Sequence, residues 1–384
     1  VRSLNPEASN YTVSVKRGLD GARGSKTDPR QSVSVILDPQ PGTRFSRGQL
    51  EKKLTQCGVP ESSSEQGTGD RRLLAIYDEP NLRFSGVDEF IRNYLPLLTA
   101  LRCLPGFEQG KIAFPESSLI LNGPFTANSL KRRGLDWAKA LLRDSRVFSL
   151  LGTPHAITWH EWMHRDLLRT EYFGRIISLV DEELRPLSPD CTLHVTQTNI
   201  SPGADSSSYD MDTFFASLWL ASSYIHAANS GRLASFNWFA FTDEPGLHKK
   251  GLIAVQETEQ GYSARRRPVW HAFDFLLQNK RAHVAPLDCP PGEIAALAVA
   301  EQGQELSGIL IVNQSRRNYE IALEAEELVD DGLYELRRLS ADSPDRVVSE
   351  SVGNPRRLHI MPESINFIEL RRQAGQLRKQ HAGS

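Results

Sequence analysis

Short apolar runs recur along the middle of the chain at intervals of roughly 40 residues, which is the spacing of repeated β-α units. Five of these runs have the composition of buried strands: residues 73–77, 118–121, 156–159, 193–196 and 235–239. After each run, apolar residues fall on one helical face, as Ile91, Leu95 and Leu98 do after the first. The pattern predicts five successive β-α units.

Parallel β-α units of this length build either an open doubly wound sheet or a closed barrel. A doubly wound nucleotide-binding sheet carries a glycine fingerprint after its first strand, and the segment after residues 73–77 has none. We therefore expect an α/β protein with a (β/α)8 TIM-type barrel over residues 71–280.

The upstream part of the chain is too short to complete this barrel. Residues 32–37 and 49–54 form one more β-α unit, residues 11–15 read as a strand, and residues 58–70 read as a polar loop. Eight units do not fit, so residues 1–70 are interpreted as an incomplete N-terminal barrel part. The first one or two units are expected to be missing or degenerate.

Beyond residue 280 the pattern changes to short strands with alternating apolar positions. They are predicted at residues 294–299, 306–312, 319–323, 333–339 and 365–370. This rhythm is typical of an antiparallel β-sandwich, which we assign to residues 281–372. Residues 373–384 are interpreted as a charged tail.

Composition narrows the classes of partner. In 384 residues, 45 Lys and Arg face 47 Asp and Glu, so a formal net charge of -2 disfavours nucleic acid and anionic membranes. The four cysteines are far apart, which disfavours a disulfide framework and a cysteine zinc site. No apolar run reaches the length of a membrane span and no signal-peptide pattern is visible. The default expectation is a cytoplasmic protein, unless the N-terminus is truncated, with a small neutral partner and no cofactor.

Catalytic groups of barrel enzymes lie at the carboxyl ends of the strands. The predicted strand ends here carry acids, amides, a histidine and indoles: Asp78, Glu79, Asn81, Asn122, Trp159, His160, Glu161, Gln197, Trp238, Asp243 and Glu244. Indole faces stack on the C–H surfaces of sugars, while acids and amides bind hydroxyl groups. This composition favours a carbohydrate ligand, an oligosaccharide or another glycoside.

The order of motifs resembles glycoside hydrolase family 39, a family of retaining barrel glycosidases that includes β-xylosidases and α-L-iduronidases. The matching motifs are Tyr77-Asp78-Glu79-Pro80-Asn81, Leu121-Asn122-Gly123-Pro124, Ile157-Thr158-Trp159-His160 and Arg267-Pro268-Val269-Trp270-His271-Ala272-Phe273. The resemblance covers about residues 71–280, and the trailing sandwich is similar to the C-terminal β domain of the family.

The resemblance implies that Glu79 is the acid/base of a retaining glycosidase. It also implies sugar contacts for Asp78, Asn81, Asn122, Trp159, His160 and Trp238. A desolvated acid beside a second carboxylate keeps its proton near neutral pH, as a general acid must. The family's nucleophilic glutamate, however, corresponds to Gln197, whose neutral amide cannot attack the anomeric carbon and adds no charge to raise the pKa of Glu79.

Three explanations of Gln197 stay open from the sequence. The residue can be an engineered substitution, or a natural loss that leaves a non-catalytic carbohydrate-binding relative. Alternatively, the nucleophile has moved to Glu161, Asp243 or Glu244, which follow neighbouring predicted strands. The first and third explanations predict a glycosidase, whereas the second predicts sugar binding without turnover.

A competing motif lies in the same region. The residues His160-Glu161-Trp162-Met163-His164 match H-E-x-x-H, which on a helix places two imidazoles around zinc with the glutamate as base. Glu182 or Glu183 could then be the third ligand. This alternative, a zinc peptidase, requires a helix through residues 160–164, where the apolar run 156–159 instead indicates a strand.

Overall fold

The structure, a computed structural model, is described for the greater part of the chain. The described residues are 10–15, 34–56, 73–104, 112–121, 132–152, 155–162, 167–200, 208–279, 283–285, 287–289, 292–300, 306–324, 334–353 and 356–370.

A six-stranded parallel sheet forms the first layer of the molecule. Its strands are β2 (Ser34–Leu37), β3 (Leu73–Ile76), β4 (Ile112–Ser118), β5 (Ala156–Trp162), β6 (Thr192–Asn199) and β7 (Leu233–Trp238). The spatial order equals the order in the sequence, as the repeated β-α pattern predicts. Within the described residues, β2 and β7 are the two edges of this sheet, and the six strands form a barrel-like layer.

Helices follow the strands and cover the parallel sheet. They are α1 (Arg47–Gln56), α2 (Pro80–Arg83), α3 (Val87–Arg102), α4 (Gly134–Arg143), α5 (Ser145–Leu151), α6 (Tyr172–Leu184), α7 (Ser208–Asp212), α8 (Phe214–Asn229) and α9 (Pro268–Asn279), with a 3-10 turn at Leu167–Glu171. Every residue of β3 and β4 is buried, because side chains on both faces of such a sheet meet other layers.

Strand β4 begins six residues before the run predicted at 118–121 and shares only Ser118 with it. The observed strand Ile112–Ser118 contains Pro115 and Glu116, residues that disfavour a central strand in sequence analysis. The strand contributes the buried carboxyl group of Glu116 to this edge of the sheet. Asn122 lies outside the described residues.

An antiparallel β-sandwich was predicted beyond residue 280, and the structure contains two further sheets there, one antiparallel and one mixed. The six-stranded sheet has the order β10 (His283–Ala285), β12 (Ile294–Ala300), β13 (Leu306–Asn313), β18 (Ser364–Glu369), β15 (Tyr334–Ser340) and β16 (Ser343–Val352). The four-stranded sheet has the order β11 (Leu287–Asp288), β1 (Asn10–Val15), β14 (Tyr319–Glu324) and β17 (Arg357–Ile360). Strand β16 escaped prediction because most of its residues are exposed and polar, and β17 because it has only four residues.

Strand β1 belongs to the β-sandwich and not to the barrel part to which residues 1–70 were assigned. It pairs in parallel with β14, with Asn10 opposite Glu320 and Ser14 opposite Glu324. It also pairs antiparallel with β11. The second layer is therefore built from both ends of the described chain.

Helix α8 joins the two layers. Its buried residues include Leu218, Trp219 and Ile225, and they occupy several sides of the helix. Such a helix must be covered all round. It packs on α6 and α9 on one side and on β12 and β13 on the other. The Asn229 side chain donates a hydrogen bond of 2.8 Å to the carbonyl of Ala296, which ties the helix end to the sandwich.

A β-hairpin completes the described structure. Strands β8 (Ile253–Thr258) and β9 (Gly261–Arg266) lie between β7 and α9 and are largely exposed.

No helix among the described residues is long and apolar enough to cross a membrane.

Candidate active site

Three neighbouring strands bring four titratable side chains together at the carboxyl edge of the parallel sheet. Asp78 and Glu79 follow β3, Glu116 lies near the end of β4, and His160 lies in β5. Because parallel strands end at the same edge, residues far apart in the sequence meet there.

His160 is the centre of this group and is 1% exposed. Its Nδ1 lies 2.9 Å from Oε1 of Glu79, and its Nε2 lies 3.1 Å from Oε1 of Glu116. The same Nε2 lies 3.5 Å from Oδ1 of Asp78. One imidazole is thus surrounded by three carboxyl groups.

The backbone around the acids has an uncommon conformation. Tyr77, Glu79 and Glu116 have φ values of 70°, 45° and 53°, in the left-handed region that non-glycine residues rarely adopt. The amide of Glu79 donates a 3.0 Å hydrogen bond to the carbonyl of Glu116. Each such conformation costs roughly 1–3 kcal/mol, and clusters of them are typical of functional sites.

The acids hold a proton on His160. Burial alone would lower the pKa of His160, but the hydrogen bonds and charges of Glu116 and Glu79 outweigh burial and raise it to about 10. With both ring nitrogens protonated, His160 donates to both glutamates.

The imidazolium in turn keeps both glutamates ionised. Burial raises the pKa of Glu79 and of Glu116, but the hydrogen bond and charge of His160 lower each of them below the usual value. Asp78 differs, because burial and the neighbouring acids raise its pKa in spite of His160.

The expectation that Glu79 keeps its proton near neutral pH is therefore not met in this arrangement. In a retaining glycosidase, the negative charge that raises the pKa of the acid/base comes from the nucleophilic carboxylate. Position 197 carries a neutral amide instead. A cation, His160, is the hydrogen-bonded neighbour instead, and it favours the ionised form.

Glu116 was missed by sequence analysis, although it is one of the most buried acids of the chain at 1% exposure. The strand that carries it was predicted several residues too late. A glutamate inside the apolar segment Ile-Ala-Phe-Pro-Glu was the available signal, since a buried carboxylate needs a partner.

Gln197 lies next to this group. It occupies the position of β6 that pairs with His160 of β5, and it is half-buried. The two residues are therefore neighbours in the backbone register of the sheet.

Two predicted sugar ligands have other roles in the structure. The fully buried Asn81 donates to the carbonyls of Ser118 and Arg132 at 2.7 and 2.9 Å, and accepts from the amide of Ser118 at 2.8 Å. Trp159 is 0% exposed and donates to Glu161 at 3.1 Å. Neither side chain has a free face for a sugar.

Trp238, the remaining predicted stacking residue, is half-buried. Its Nε1 donates a 3.2 Å hydrogen bond to the carbonyl of Lys250, and its ring lies edge-on to Trp219. Its role in sugar binding stays a prediction.

The three alternative nucleophiles lie elsewhere. Glu161 follows His160 directly in β5, so it points to the opposite face of the sheet, where burial raises its pKa to about 8. Asp243 is buried against Arg267, at 2.7 and 2.9 Å. Glu244 is exposed and lies 3.8 Å from His248. None of these three contacts Glu79 in the described structure.

The geometry excludes the H-E-x-x-H interpretation. His160, Glu161 and Trp162 belong to a β-strand, whereas two zinc-binding imidazoles at this spacing require a helix. Glu183 lies on the surface of α6, where it accepts a hydrogen bond from Lys139, and His164 lies outside the described residues. The zinc-peptidase prediction is therefore wrong.

Lys250 is a further cation near the site that sequence analysis missed. Its residue is 4% exposed, and its Nζ lies 4.6 Å from the centre of the Trp162 ring. Burial lowers the pKa of Lys250 to about 8, although the charge of Glu79 acts to raise it. No pattern in the sequence singles out this lysine.

The fold is similar to those of solved glycoside hydrolases. A xyloglucanase of glycoside hydrolase family 44 from Paenibacillus polymyxa has 9% sequence identity and a TM-score of 0.61, over 88% of this chain and 74% of that chain. The bifunctional glucanase-xylanase CelM2, from a metagenome library, has 13% identity and a TM-score of 0.59, over 85% and 68% of the two chains.

A family 51 alpha-L-arabinofuranosidase from Bifidobacterium longum has 13% identity and a TM-score of 0.61, over 88% of this chain and 76% of that chain. At these identities the similarity shows a glycosidase-type fold. No family model matches the sequence, and no curated protein matches it either.

Proposed function

We propose that the chain is a glycoside hydrolase in which Glu79 transfers protons to and from the glycosidic oxygen. The observation that carries this proposal is the convergence of Glu79, Glu116 and Asp78 on His160 at the carboxyl edge of a glycosidase-type sheet. Glu79 keeps 25% of its side chain exposed, so it is accessible to a ligand. Membership of family 39 is part of the proposal, supported by the order of the sequence motifs.

The proposed substrate class rests on the solved structures with similar folds and on the polar side chains at the carboxyl edge of the parallel sheet. Xyloglucanase, glucanase-xylanase and arabinofuranosidase are the activities of similar folds, so an oligosaccharide or a simple glycoside is the proposed ligand. Asp78, half-exposed beside Glu79, and Gln197 are the proposed hydroxyl-binding groups.

The neutral Gln197 limits the reaction. A retaining glycosidase needs two carboxyl groups about 5–5.5 Å apart, one of which attacks the sugar. With an amide at the proposed nucleophile position, and with Glu79 held by His160, turnover should be slow. Aryl glycosides are the appropriate substrates, because their leaving groups require little protonation.

The test is to restore the carboxylate. Gln197→Glu should raise kcat on aryl glycosides by at least about tenfold. Glu79→Gln in that background should remove the gain in kcat, since Glu79 would also activate the water that hydrolyses the glycosyl-enzyme, and general acid–base catalysis contributes about 10²–10⁴-fold. Gln256→Glu, the same change on the exposed face of β8, is the matched control and should have no effect. No gain on restoration, together with no effect of Glu79→Gln, contradicts the hydrolase proposal.

A second candidate is sugar binding without turnover, which the amide at position 197 favours. It predicts that calorimetry detects oligosaccharide binding by the unmodified chain and that Gln197→Glu confers no hydrolysis. Loss of sugar binding in Asp78→Asn would then place the sugar at the carboxyl edge of the parallel sheet. Unchanged binding would show that the sugar binds elsewhere.

A further inference from the structure

Asp78, Glu116 and His160 present three ligand atoms to one point. Nε2 of His160 lies 3.1 Å from Oε1 of Glu116 and 3.5 Å from Oδ1 of Asp78. One ligand atom from each of the three residues lies within 4.8 Å of the others. Ligands bound to one Zn²⁺ at about 2.0–2.2 Å are themselves roughly 3.0–3.5 Å apart in neighbouring positions, which is the spacing at Nε2.

Two oxygens of this group are left without a donor. Oδ1 of Asp78 and Oε2 of Glu116 are buried and accept no hydrogen bond within the described part of the chain. The hydroxyl groups of Thr158 and Thr196 lie close enough to Glu116 to help lower its pKa, but neither makes a hydrogen bond of good geometry to Oε2. Buried carboxylate oxygens without a partner are costly, and a cation would satisfy them.

The other side of His160 is arranged as in known metal sites. A metal-binding histidine usually donates its second ring N–H to a carboxylate, which fixes the orientation of the ring. Here Nδ1 lies 2.9 Å from Oε1 of Glu79, and this leaves Nε2 directed at Asp78 and Glu116. The cluster therefore contains an imidazole, two carboxylates and a supporting carboxylate.

We propose that Asp78, Glu116 and His160 bind a divalent transition-metal cation, Zn²⁺ or Mn²⁺, with Glu79 as the acceptor that orients His160. The cation lies beside Nε2, on the side of the ring that faces these two carboxyl groups. Imidazole and carboxylate ligands suit these metals, whereas Ca²⁺ prefers six to eight oxygen ligands. Asp78 is the most exposed of the three, so the ion enters from its side.

This site departs from the expectation that the protein has no cofactor, and it differs from the excluded H-E-x-x-H site. It uses neither residue 164 nor Glu183, and Glu161 points to the opposite face of β5. It goes beyond the proposed hydrolysis, because it concerns an ion and not the sugar.

The test measures metal binding directly, without a glycoside. The full chain is treated with a chelator and titrated with ZnCl₂, MnCl₂ and CaCl₂ by calorimetry, and the metal retained after dialysis is quantified. We expect one Zn²⁺ or Mn²⁺ per chain and weaker binding of Ca²⁺. Glu116→Gln and Asp78→Asn should each weaken Zn²⁺ or Mn²⁺ binding at least about tenfold, and Glu79→Gln about 10- to 100-fold.

Glu161→Gln is the matched control, because it is the same isosteric change on the same strand but on the opposite face. It should leave metal affinity unchanged. Circular dichroism checks each variant for folding; if Glu116→Gln does not fold, the half-exposed Asp78→Asn decides the result. Absence of Zn²⁺ and Mn²⁺ binding, tighter binding of Ca²⁺, or an affinity that does not change in folded Asp78→Asn overturns the proposal.

These outcomes are separate from those of the hydrolase test. A chain that binds Zn²⁺ but whose activity responds neither to Gln197→Glu nor to Glu79→Gln supports the metal site and contradicts the hydrolase. A chain that binds neither Zn²⁺ nor Mn²⁺ but gains activity in Gln197→Glu supports the hydrolase and contradicts the metal site. His160 is then an imidazolium that holds three carboxyl groups together.

Discussion

The Asn81 side chain forms hydrogen bonds to the end of strand β4 with both its amide nitrogen and its amide oxygen. All three of its hydrogen bonds go to the backbone, two of them to Ser118. Ser118 is two residues from Glu116, so Asn81 positions the strand that carries this acid. A side chain that follows two acids in the sequence can thus support a site by holding the backbone of a neighbouring strand.

Asn81→Ala should destabilise the protein by about 2–4 kcal/mol, because it leaves buried backbone groups without partners. Chemical unfolding in urea measures this loss. Asn93→Ala is the control and should cause a smaller loss of stability. Asn93 also makes two hydrogen bonds to the backbone, but it is only half-buried, so water can replace them. Equal losses in the two variants would contradict the role assigned to Asn81.

At the scale of elements, Arg267 connects the hairpin β8–β9 with α7 and with the segment after β7. This guanidinium is 2% exposed, and it binds Asp243 through two nitrogens at 2.7 and 2.9 Å. It also binds Asp212 of α7 at 2.7 Å and the carbonyl of Gly251 at 2.8 Å. The acid Asp243 therefore fixes loop structure.

Arg267→Lys should lower the free energy of unfolding by about 3–5 kcal/mol, since an ammonium cannot reproduce the forked geometry and leaves Asp243 incompletely paired. The melting temperature reports the change. Arg265→Lys serves as control: Arg265 binds the same Asp212 at 2.8 Å but is exposed, so its contribution is about 0–1 kcal/mol. A melting temperature of Arg267→Lys as high as that of Arg265→Lys is the contradicting result.

Sequence patterns predicted these elements unevenly. Strands β3, β5 and β6 lie at predicted runs, because burial on both faces produces continuous apolar residues. β4 was displaced, since Pro115 and Glu116 interrupt its apolar pattern. The hairpin β8–β9 went unpredicted, because β9 is exposed throughout and the apolar residues of β8 end after Val255.

The candidate site was predictable only in part, because some of its residues are brought together by contacts that are distant in the sequence. The position of Glu79 and His160 at strand ends was readable from local sequence, and the structure joins them at 2.9 Å. The positions of Glu116 and Lys250 depend on where other strands and loops return in space. The charge of Glu79 depends on that neighbourhood as well, so its pKa could not be inferred from the motif alone.

For the whole molecule, the central fact is that the parallel sheet and the β-sandwich share a core. Buried residues of α8 and α9 belong to the same apolar cluster as Leu297, Leu310 and Phe367 of the sandwich. Because separation would expose this cluster, we expect the two layers to unfold together.

His226 of the shared helix α8 makes this stability dependent on pH. Burial lowers the pKa of His226 to about 4, below the value of about 6.5 in an unfolded chain. Between these values the unfolded chain binds a proton that the folded protein does not. Stability is therefore full above pH 6.5 and falls by on the order of 2–3 kcal/mol as the pH drops toward 4.

Urea unfolding at pH 7 and pH 5, in the unmodified chain and in His226→Gln, measures this contribution. The variant should lose less stability on acidification than the unmodified chain. His359→Gln, at an exposed position of β17, controls for the substitution itself. Identical pH profiles of His226→Gln and the unmodified chain would show that this histidine does not set the acid sensitivity.

The pairing of Asn10–Val15 with Tyr319–Glu324 has a consequence for biosynthesis. A ribosome that adds about 5–20 residues per second needs tens of seconds to make the intervening roughly 300 residues. During that time the early strand has emerged but its parallel neighbour does not yet exist. The nascent chain therefore carries a strand segment with unpaired backbone groups, which are open to association with other chains until translation is nearly finished.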